Sequence, residues 1–425
     1  VISNTATFDV IIESSGYTLE NYYSADLTSN TDSLFWKVIA YNSCLIPKES
    51  EIFRFNLLPA TLFSDLILWY SSENVITDSG DAVLLWPDRS VNSYDLEQLV
   101  PGKRPLKVAS EFTQFPFIRF DGSNDFLTKE FDQTFNQPLS GFVVWRNDIM
   151  KNQNIFDGTE IGEISLYYPY SNLNTLFFNW GGPISVQQTK PVLPYLTISS
   201  FVVSSSIKYY DNGELIGTGA DIGTSKLSGI TLGTRHLQDI RYLDGDITEV
   251  IFFNKELVDT ARKQVERYLH DKYFPPVNLG YDIRIPYGFC DTAITTAYKP
   301  WFTEYAWSTG ETDSIIHVNR PGVYSVTVAD IFGFESSDDI RVFYPVVNDF
   351  ADTTVCFGNS VVWDAELMGD YSFAWYGSSE TTRAITIDAE GDYAVIVNDT
   401  LGCQHLSDTI SFSFDNYEFT ASVGP

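Results

Sequence analysis

The sequence predicts an all-β protein, a multidomain string of β-sandwiches. Short segments alternate apolar and polar residues and end in turn dipeptides such as Asn212-Gly213, a pattern typical of half-buried strands. The cores are expected to be aromatic, because the chain has 31 Phe, 25 Tyr and 9 Trp but only 2 Met. The C-terminal third contains two copies of one sequence module. At about 150 residues per domain, 425 residues suggest about three domains.

The repeat is visible in four landmarks that recur in the same order. They are, first copy then second, Cys290 and Cys356, Trp307 and Trp375, Tyr324 and Tyr393, and Gly333 and Gly402. The step from Cys to Trp is 17 and then 19 residues, from Trp to Tyr 17 and then 18, and from Tyr to Gly 9 in both. A period of about 70 residues indicates an array of separately folded modules, which usually present a surface rather than perform chemistry.

The net charge limits the partners. The chain has 56 Asp and Glu against 26 Lys and Arg, a formal net charge of −30. Nucleic acids and anionic membrane surfaces are bound through basic patches, so neither is expected as a partner. No apolar run approaches the ~20 residues that span a bilayer, so no transmembrane segment is expected. The chain begins with Val and shows no signal peptide, and we interpret it as mature, processed or a fragment.

Residues 1–58 alternate in short strands. Residues 34–44 read Leu-Phe-Trp-Lys-Val-Ile-Ala-Tyr-Asn-Ser-Cys, and Phe53-Arg-Phe55 follows them. This pattern resembles the later strands of a fibronectin type III domain, as found in Bacteroidota surface proteins. The resemblance implies the C-terminal part of such a sandwich, with its front strands missing.

Residues 62–277 form one long unit with a single predicted helix at about 259–272, where apolar residues recur at i, i+4 spacing. Its motifs, in order, are Trp86-Pro-Asp-Arg-Ser90, Phe117-Ile-Arg-Phe-Asp-Gly122, Tyr209-Tyr-Asp-Asn-Gly213, Gly245-Asp-Ile-Thr-Glu249 and Val265-Glu-Arg-Tyr-Leu269. They resemble the concanavalin A-like lectin/glucanase superfamily in its laminin-G-like form. The resemblance implies a two-sheet jelly roll, whereas periodicity alone predicts a sandwich or barrel. The full prediction is therefore a string of β-sandwiches around one large jelly roll.

The two repeats cover residues 283–344 and 345–414. Trp307-Ser-Thr-Gly310 and Gly391-Asp-Tyr393 resemble the Ig-like or PKD-like modules of Bacteroidota surface proteins, and residues 415–425 resemble the lead into a further module. Proteins with this order of modules are often type IX secretion cargo, including gliding-motility adhesins. The resemblance implies export by the type IX machinery and an extracellular or cell-surface location on a Gram-negative bacterium.

One cation site is predicted in a tight turn. Asp121, Asn124 and Asp125 offer the hard oxygen ligands that Ca²⁺ prefers, and Asp244 and Asp246 form a second acidic pair. These turns have a structural alternative, in which each Asp accepts hydrogen bonds from nearby backbone amides. Calcium is the one cofactor that the sequence suggests.

Aromatic residues with amide neighbours are the candidates for sugar binding. The segments Tyr167-Tyr168-Pro-Tyr170 and Phe177-Phe-Asn-Trp180 fit this description, and we predict sugar contacts at Tyr168, Tyr170 and Trp180. The alternative is that these rings fill the core. Trp86, Trp307 and Trp375 are predicted to be core residues.

No catalytic group is predicted. Glycoside hydrolases with a jelly-roll fold carry paired carboxylates on one strand, and the nearest string here, Asp157-Gly-Thr-Glu160-Ile-Gly-Glu163, has glycines typical of a loop. The four His residues are scattered, and no zinc motif, Gly-x-Ser-x-Gly elbow or phosphate-binding glycine loop occurs. The sequence therefore predicts that the chain is not an enzyme.

One disulfide, Cys356–Cys403, is predicted for an oxidising compartment. The two residues belong to the first and last strands of the second repeat. The first repeat has Phe334 at the partner position, which would leave Cys290 free, as Cys44 would be. The alternative is that Cys356 and Cys403 are buried free thiols.

These features together predict a non-catalytic, adhesin-like surface protein. The jelly roll would bind a glycan or another surface ligand, and the Ig-like modules would act as spacers. Two alternatives stay open, because a fold does not determine a function. One is a glycoside hydrolase or lyase accessory protein, and the other is a structural stalk or phage fibre without a ligand pocket.

Overall fold

The structure is a computed structural model. It describes residues 2–3, 11–13, 33–41, 47–49, 53–110, 113, 115–168, 175–180, 186–189, 195–220, 226–348 and 350–415. The chain divides into two compact units, Val1–Pro276 and Val277–Pro425. Strands dominate both units, so the prediction of an all-β sandwich protein is confirmed.

The first unit begins with short strands. They are β1 (Ile2–Ser3), β2 (Ile11–Glu13), β3 (Ser33–Trp36), β4 (Ile39–Tyr41), β5 (Pro47–Glu49) and β6 (Phe53–Asn56). Strands β2, β1, β3 and β6 form one sheet in that order, and β4 pairs with β5 in another. The predicted alternating strand at 33–41 is thus present as two strands that belong to different sheets.

Residues 62–277, which we call the large sandwich, contribute two larger sheets. Their strands are β7 (Leu66–Ser71), β8 (Ile76–Thr77), β9 (Val83–Trp86), β10 (Leu96–Glu97), β11 (Leu106–Val108), β12 (Phe117–Asp121), β13 (Leu127–Asn136), β14 (Leu139–Asn147), β15 (Gln153–Asp157), β16 (Ile164–Tyr168), β17 (Thr175–Trp180), β18 (Val186–Thr189), β19 (Thr197–Val203), β20 (Ser206–Asp211), β21 (Glu214–Ala220), β22 (Lys226–Leu232) and β23 (Asp244–Phe253). The nine-stranded sheet has the order β18-β17-β16-β15-β22-β13-β10-β9-β8. The eight-stranded sheet has the order β11-β12-β23-β14-β19-β20-β21, with β7 also paired to β23.

The two sheets share one hydrophobic core. Trp86 and Phe156 from the nine-stranded sheet and Trp145 and Phe252 from the eight-stranded sheet belong to a single buried cluster. Trp86 is fully buried, as predicted, and its indole N–H donates to the carbonyl of Ser71 at 2.9 Å. A buried Trp keeps its place when its N–H finds an acceptor, so this side chain also ties the β9 strand to β7.

The helix α1 (Asp259–Tyr273) packs on the outer face of the eight-stranded sheet. Glu266 accepts a hydrogen bond from the hydroxyl of Ser200 at 2.6 Å, and the Arg262 guanidinium lies 3.7 Å from the ring centre of Tyr210. Arg262 and Glu266 are buried beneath the helix, where they pair with each other. The described part of the chain holds no helix long and apolar enough to cross a membrane.

Glu249 anchors the C-terminal half of α1. This carboxylate is fully buried on β23 and accepts hydrogen bonds from the Trp69 indole, the Tyr268 hydroxyl and the Tyr273 hydroxyl. Lys272 completes the set with a 2.8 Å ion pair. A buried charge is tolerated when it is paired and fully hydrogen-bonded, and Glu249 meets both conditions.

The second unit contains the two repeats, which we call the first module (residues 283–344) and the second module (residues 345–414). Their strands are β24 (Ile283–Arg284), β25 (Thr292–Thr295), β26 (Phe302–Trp307), β27 (Ile315–Val318), β28 (Gly322–Asp330), β29 (Glu335–Phe343), β30 (Thr353–Cys356), β31 (Val361–Asp364), β32 (Ser372–Tyr376), β33 (Ala384–Ile387), β34 (Gly391–Asn398), β35 (Gln404–Leu406) and β36 (Ile410–Asp415). In each module the first strand pairs in parallel with the last. The second and fourth strands of each module form a separate antiparallel pair.

The cores of the two modules are built on the predicted tryptophans. Trp307 is 5% exposed and Trp375 is 7% exposed, so both are core residues. Each indole N–H donates to a backbone carbonyl a few residues ahead, Asp313 at 2.8 Å and Thr382 at 2.9 Å. The second module adds Trp363, whose ring centre lies 5.0 Å from that of Trp375.

Residues 287–290 of the first module, which we call the docking segment, lie against the second module. The Phe289 side chain belongs to the hydrophobic core of the second module, and its N–H donates to Asp399 Oδ2 at 2.8 Å. Tyr287 packs on Tyr371 with ring centres 4.7 Å apart. Gly288 has φ 86°, and a Cβ there would come within 2.7 Å of the Asp399 carboxylate, so this close approach requires glycine. The docking segment joins the two modules.

The predicted Cys356–Cys403 disulfide is wrong, because Cys403 is bonded to Cys290. Cys356 is an exposed free thiol at the end of β30, opposite Asp415 of β36. Strand β34 begins beside β36 and ends before Cys403, so about the length of this eight-residue strand, ~27 Å, separates the two thiols. The docking segment instead brings Cys290 to Cys403, and the repeat alignment that treated Cys290 and Cys356 as equivalent does not hold.

Candidate functional site

Of the three aromatic residues predicted to contact sugar, the structure describes one side chain. Tyr168 is fully buried and packs edge-on against Trp145 with ring centres 6.3 Å apart, so its predicted sugar contact is wrong. Burial also raises the pKa of the Tyr168 phenol well above its usual value. Tyr170 and the side chain of Trp180 lie outside the described residues.

A row of side chains crosses the end of the nine-stranded sheet. Asn154, Tyr167, Phe177 and Gln187 lie directly opposite one another on β15, β16, β17 and β18, and we call these four residues the aromatic row. Tyr168, the next residue along β16, points into the core, so the alternation of side chains turns the row outward. At ~4.8 Å between strands, the row spans ~14 Å.

The row has an apolar centre and polar ends. The half-buried rings of Tyr167 and Phe177 stack with centres 5.7 Å apart and planes 27° apart. Gln187 is exposed at the outer end. Asn154 is 1% exposed at the inner end, and its Oδ1 accepts no hydrogen bond from the described residues. The arrangement combines a ring surface with one accessible amide, that of Gln187, which can donate and accept hydrogen bonds, and Asn154 lies buried beneath the inner end.

The loop between β22 and β23 places the guanidinium of Arg241 beside this row. The Arg241 carbonyl accepts a hydrogen bond from the N–H of Asn154 at 2.8 Å, and Arg241 has a left-handed backbone, φ 65°. Its guanidinium carbon lies 5.3 Å from the ring centre of Tyr167, within the range of a cation–π contact. Among the described residues no carboxylate forms an ion pair with Arg241, and its Nε makes no hydrogen bond there.

The carboxylates of the string at 157–163 serve the fold. Asp157 Oδ2 lies 3.0 Å from Nδ1 of His236 and accepts the backbone N–H of the same residue. Burial raises the pKa of Asp157, although the bonds to His236 oppose that rise. Glu163, 2% exposed, accepts backbone N–H groups of Thr159 and Ser228 at 2.8 and 2.7 Å. Both side chains hold neighbouring backbone in place.

The predicted calcium turn shows the contacts of its structural alternative. Asp121 Oδ1 accepts the N–H groups of Ser123 at 2.8 Å and Asn124 at 3.2 Å. Asp125 Oδ2 accepts the N–H of Asp121 at 3.0 Å, and burial raises the pKa of Asp125 to about 6. The turn is thus stabilised by its own carboxylates, and calcium binding by Asp121, Asn124 and Asp125 stays a prediction.

The second acidic pair is divided between two ion pairs. Asp246 is fully buried and accepts hydrogen bonds from Arg119 at 2.9 Å and Arg146 at 2.5 Å. Asp244 lies 3.8 Å from Nζ of Lys151. The two carboxylates are therefore engaged by different cations, which join β12, β14 and β23.

The segments singled out in the sequence contain the outward-facing Tyr167 and Phe177, but the sequence prediction placed the sugar contacts at other residues of those segments. Ile164, Leu166 and Tyr168 share one parity on β16 and are buried, whereas Ser165 and Tyr167 have the other parity. Ile164 and Leu166 lie on the same face of β16 as Tyr168. This alternation is the signal that could have identified Tyr168 as a core residue. The position of Arg241 depends on a loop conformation, and no sequence signal indicates it.

Comparisons with known proteins give weak structural likenesses. No protein-family model matches the chain, and no curated protein matches it either. The Trypanosoma rangeli sialidase in complex with sialic acid is similar at a TM-score of 0.36 and 10% identity, over 50% of this chain and 34% of the sialidase. The chain thus spans about a third of the sialidase that it matches.

Two further solved structures show likenesses of the same strength. Domain 4 of AbnA, a GH43 extracellular arabinanase from Geobacillus stearothermophilus in complex with arabinotriose, has a TM-score of 0.34 and 13% identity, over 47% of this chain and 98% of that one. A botulinum neurotoxin serotype D/C binding domain has a TM-score of 0.39 and 13% identity, over 82% and 94%. TM-scores this low do not establish a shared fold, so function has to follow from the chain's own residues.

Proposed function

We propose that the large sandwich is a non-catalytic carbohydrate-binding unit and that the aromatic row is its binding surface. The row is the observation that carries the proposal. The C–H faces of a sugar pack against aromatic rings, whose faces carry partial negative charge, and amides bond the hydroxyl groups. Tyr167 and Phe177 supply the rings, and Gln187 supplies an exposed amide. The length of the row suits an oligosaccharide better than a single sugar.

The absence of catalysis is part of the proposal. Asp157 and Glu163 are the acids that come closest in sequence to a hydrolase motif, and their oxygens are occupied by His236 and by backbone amides. A general acid or base must reach the proton that it transfers in a plausible substrate pose. These two carboxylates are committed to the fold instead, which supports binding without turnover.

The wider proposal is an adhesin-like protein on the surface of a Bacteroidota cell. The large sandwich would bind the glycan or another surface ligand, and the two modules would act as spacers. Its support is the repeat of about 70 residues, the net charge of −30, and the resemblance of the repeats to modules of type IX secretion cargo. The type IX machinery would be the partner during export.

A binding assay tests the carbohydrate proposal. The full chain would be titrated against immobilised laminarin, agar, alginate and chitin, and soluble products would be assayed for new reducing or unsaturated ends. We expect binding to at least one polymer without products. The double variant Tyr167→Ala, Phe177→Ala should weaken that binding at least ~10-fold, because both rings of the row are lost.

Phe63→Ala is the matched control, since this aromatic residue is 44% exposed in the same unit and lies outside the row. It should bind as the parent does. Thermal unfolding of all three proteins separates a loss of binding from a loss of folding. Binding that survives in the double variant, or product formation by the parent, would contradict the proposal.

A further inference from the structure

We propose that the glycan bound at the aromatic row is anionic, with sugar residues that carry carboxylate or sulfate groups, and that Arg241 is the residue that selects the charge. This inference rests on the proposed function and names the class of its ligand. Two independent observations carry it. One is the placement of Arg241, and the other is the distribution of acidic residues along the chain.

Three of the four strands of the row, β16, β17 and β18, lie in a segment without acidic residues. Residues 164–210 contain no Asp or Glu and carry two lysines, Lys190 and Lys208. At the average density of the chain, with 56 acidic residues in 425, a segment of this length would hold about six. We call residues 164–210 the acid-free segment. A protein with a net charge of −30 thus has no acidic side chain on β16, β17 or β18.

The loops between these strands belong to the same segment. Residues 169–174, 181–185 and 190–194 connect β16, β17, β18 and β19, and their sequences contain no carboxylate. No conformation of these loops can therefore bring a negative side chain over the row.

The acids nearest in sequence to Arg241 are already paired. Asp239 binds Arg235 through two hydrogen bonds of 2.6 and 2.7 Å, and Asp244 lies 3.8 Å from Nζ of Lys151. The guanidinium of Arg241 lies over the ring of Tyr167 and forms no ion pair with a carboxylate of the described residues. The Nε of Arg241 is enclosed, so the two terminal nitrogens are the donors left for a ligand, and they can bind carboxylate or sulfate oxygens through two parallel hydrogen bonds.

The geometry suits one extended acidic oligosaccharide. Arg241 lies at the β15 end of the row, against Tyr167, and Phe177 is the next ring outward. A sugar packed on Phe177 near Gln187 would leave its neighbour in the chain above Tyr167, within reach of the guanidinium. The rings would then contribute affinity, and Arg241 would contribute selectivity for charge. In ligand sites generally, apolar side chains form most of the lining and a few polar groups determine specificity.

The test compares polymers that differ only in charge. The full chain is titrated with polygalacturonate and its methyl ester, and with a sulfated galactan and its desulfated form. We expect at least one charged polymer to bind at least ~10-fold more tightly than its neutral counterpart, with an affinity that falls as salt is added. The first pair reports on carboxylate as the selected group, and the second pair reports on sulfate.

Variants of two arginines in one loop assign the preference. Arg241→Gln should reduce the preference to less than ~3-fold through weaker binding of the charged polymer, and Arg241→Lys should keep part of the preference. Arg235→Gln, the matched control, should keep all of it, because Arg235 is neutralised by Asp239. Thermal unfolding of each variant verifies that the loop change leaves the fold intact.

The outcomes separate the two proposals. Equal binding of charged and neutral polymers, with sensitivity to Tyr167→Ala and Phe177→Ala, would overturn the charge selectivity and leave carbohydrate binding in place. A preference that persists in Arg241→Gln would overturn the role of Arg241. Failure of all four polymers and of laminarin, agar, alginate and chitin to bind would overturn both proposals.

Discussion

The two modules close their long strand with the same turn, residues 330–334 in the first and 399–403 in the second. Asp330 Oδ1 accepts the N–H groups two and four residues ahead at 2.9 and 3.0 Å. Asp399 Oδ1 accepts the corresponding groups at 2.9 Å each. An Asp side chain that bonds backbone ahead of it is a common way to stabilise a turn. The turn itself is therefore the same in both modules.

The difference lies in what the second turn does beyond its own module. Asp399 Oδ2 accepts the N–H of Phe289, and Cys403 is bonded to Cys290. The position of Cys403 is occupied in the first module by Phe334. The turn of the first module stabilises only its own module, whereas the turn of the second module also holds the docking segment. Two features make the difference: the hydrogen bond that Asp399 accepts from Phe289, and a Cys at the position of Phe334.

The largest expected effect concerns the module cores. Trp375→Ala should destabilise the second module by about 3–5 kcal/mol, the range for emptying a buried aromatic site. Trp307→Ala should cost the first module about 0.5–1.5 kcal/mol less, because Trp375 also loses its contact with Trp363. Hydrogen exchange of peptides from each module in the full chain measures both. Equal losses would show that the Trp pair adds nothing.

The disulfide should give the next largest effect. Cys290→Ser should destabilise the joined modules by about 2–4 kcal/mol, because a link across 113 positions restricts the unfolded chain. Cys356→Ser is the matched control and should leave stability unchanged, since Cys356 is an exposed free thiol. Thermal unfolding with and without reductant checks this, and a reductant effect in the Cys290→Ser variant would contradict the assignment.

A smaller effect separates the two Asp residues. Asp330→Ala should cost about 1 kcal/mol, and Asp399→Ala should cost about 1 kcal/mol more, because it also leaves the buried N–H of Phe289 without its acceptor. Denaturant unfolding of the two variants checks the difference. Equal losses would show that the docking segment gains nothing from Asp399.

The Asp399 contribution should also depend on pH. Burial works to raise the pKa of Asp399, but its backbone hydrogen bonds outweigh burial and hold the pKa below its usual value. A depressed folded-state pKa stabilises the protein above the unfolded pKa of about 4, and this stabilisation is lost as the pH falls further. Asp399→Ala should lack this acid-labile part in unfolding measured between about pH 6 and about pH 3, a range that brackets this pKa.

The smallest effect is expected at the edge of the joint. The Tyr287 hydroxyl donates to the Asp370 carbonyl at 2.7 Å and accepts the N–H of Thr400 at 2.9 Å, both exposed. Tyr287→Phe should cost about 1 kcal/mol or less, because water can replace the lost partners. Exchange of the Thr400 amide should rise while the core amides stay protected. A larger loss spread over both modules would mean that Tyr287 fixes the joint.

The sequence predicted the features that depend on local periodicity. Alternation and turn residues indicated the strands, and equal spacings identified the repeat and the core positions of Trp307 and Trp375. The pairing of Cys290 with Cys403 could not be predicted in this way, because it depends on how one module meets the next. The outward position of Arg241 depends on a left-handed residue in a loop, where side-chain patterns carry little information.

The bond between Cys290 and Cys403 also determines how the second unit would transmit a pulling force. Tension that enters before Cys290 would pass through two sulfur atoms and leave after Cys403, bypassing the 113 positions between them. That bypassed chain, ~400 Å when fully extended, cannot lengthen while the bond is intact. Reduction would release it, and force spectroscopy would record the release as added contour length. The joint is thus a covalent shortcut that shields strands β25 to β34 from tension, whereas β24, β35 and β36 lie outside the closed loop.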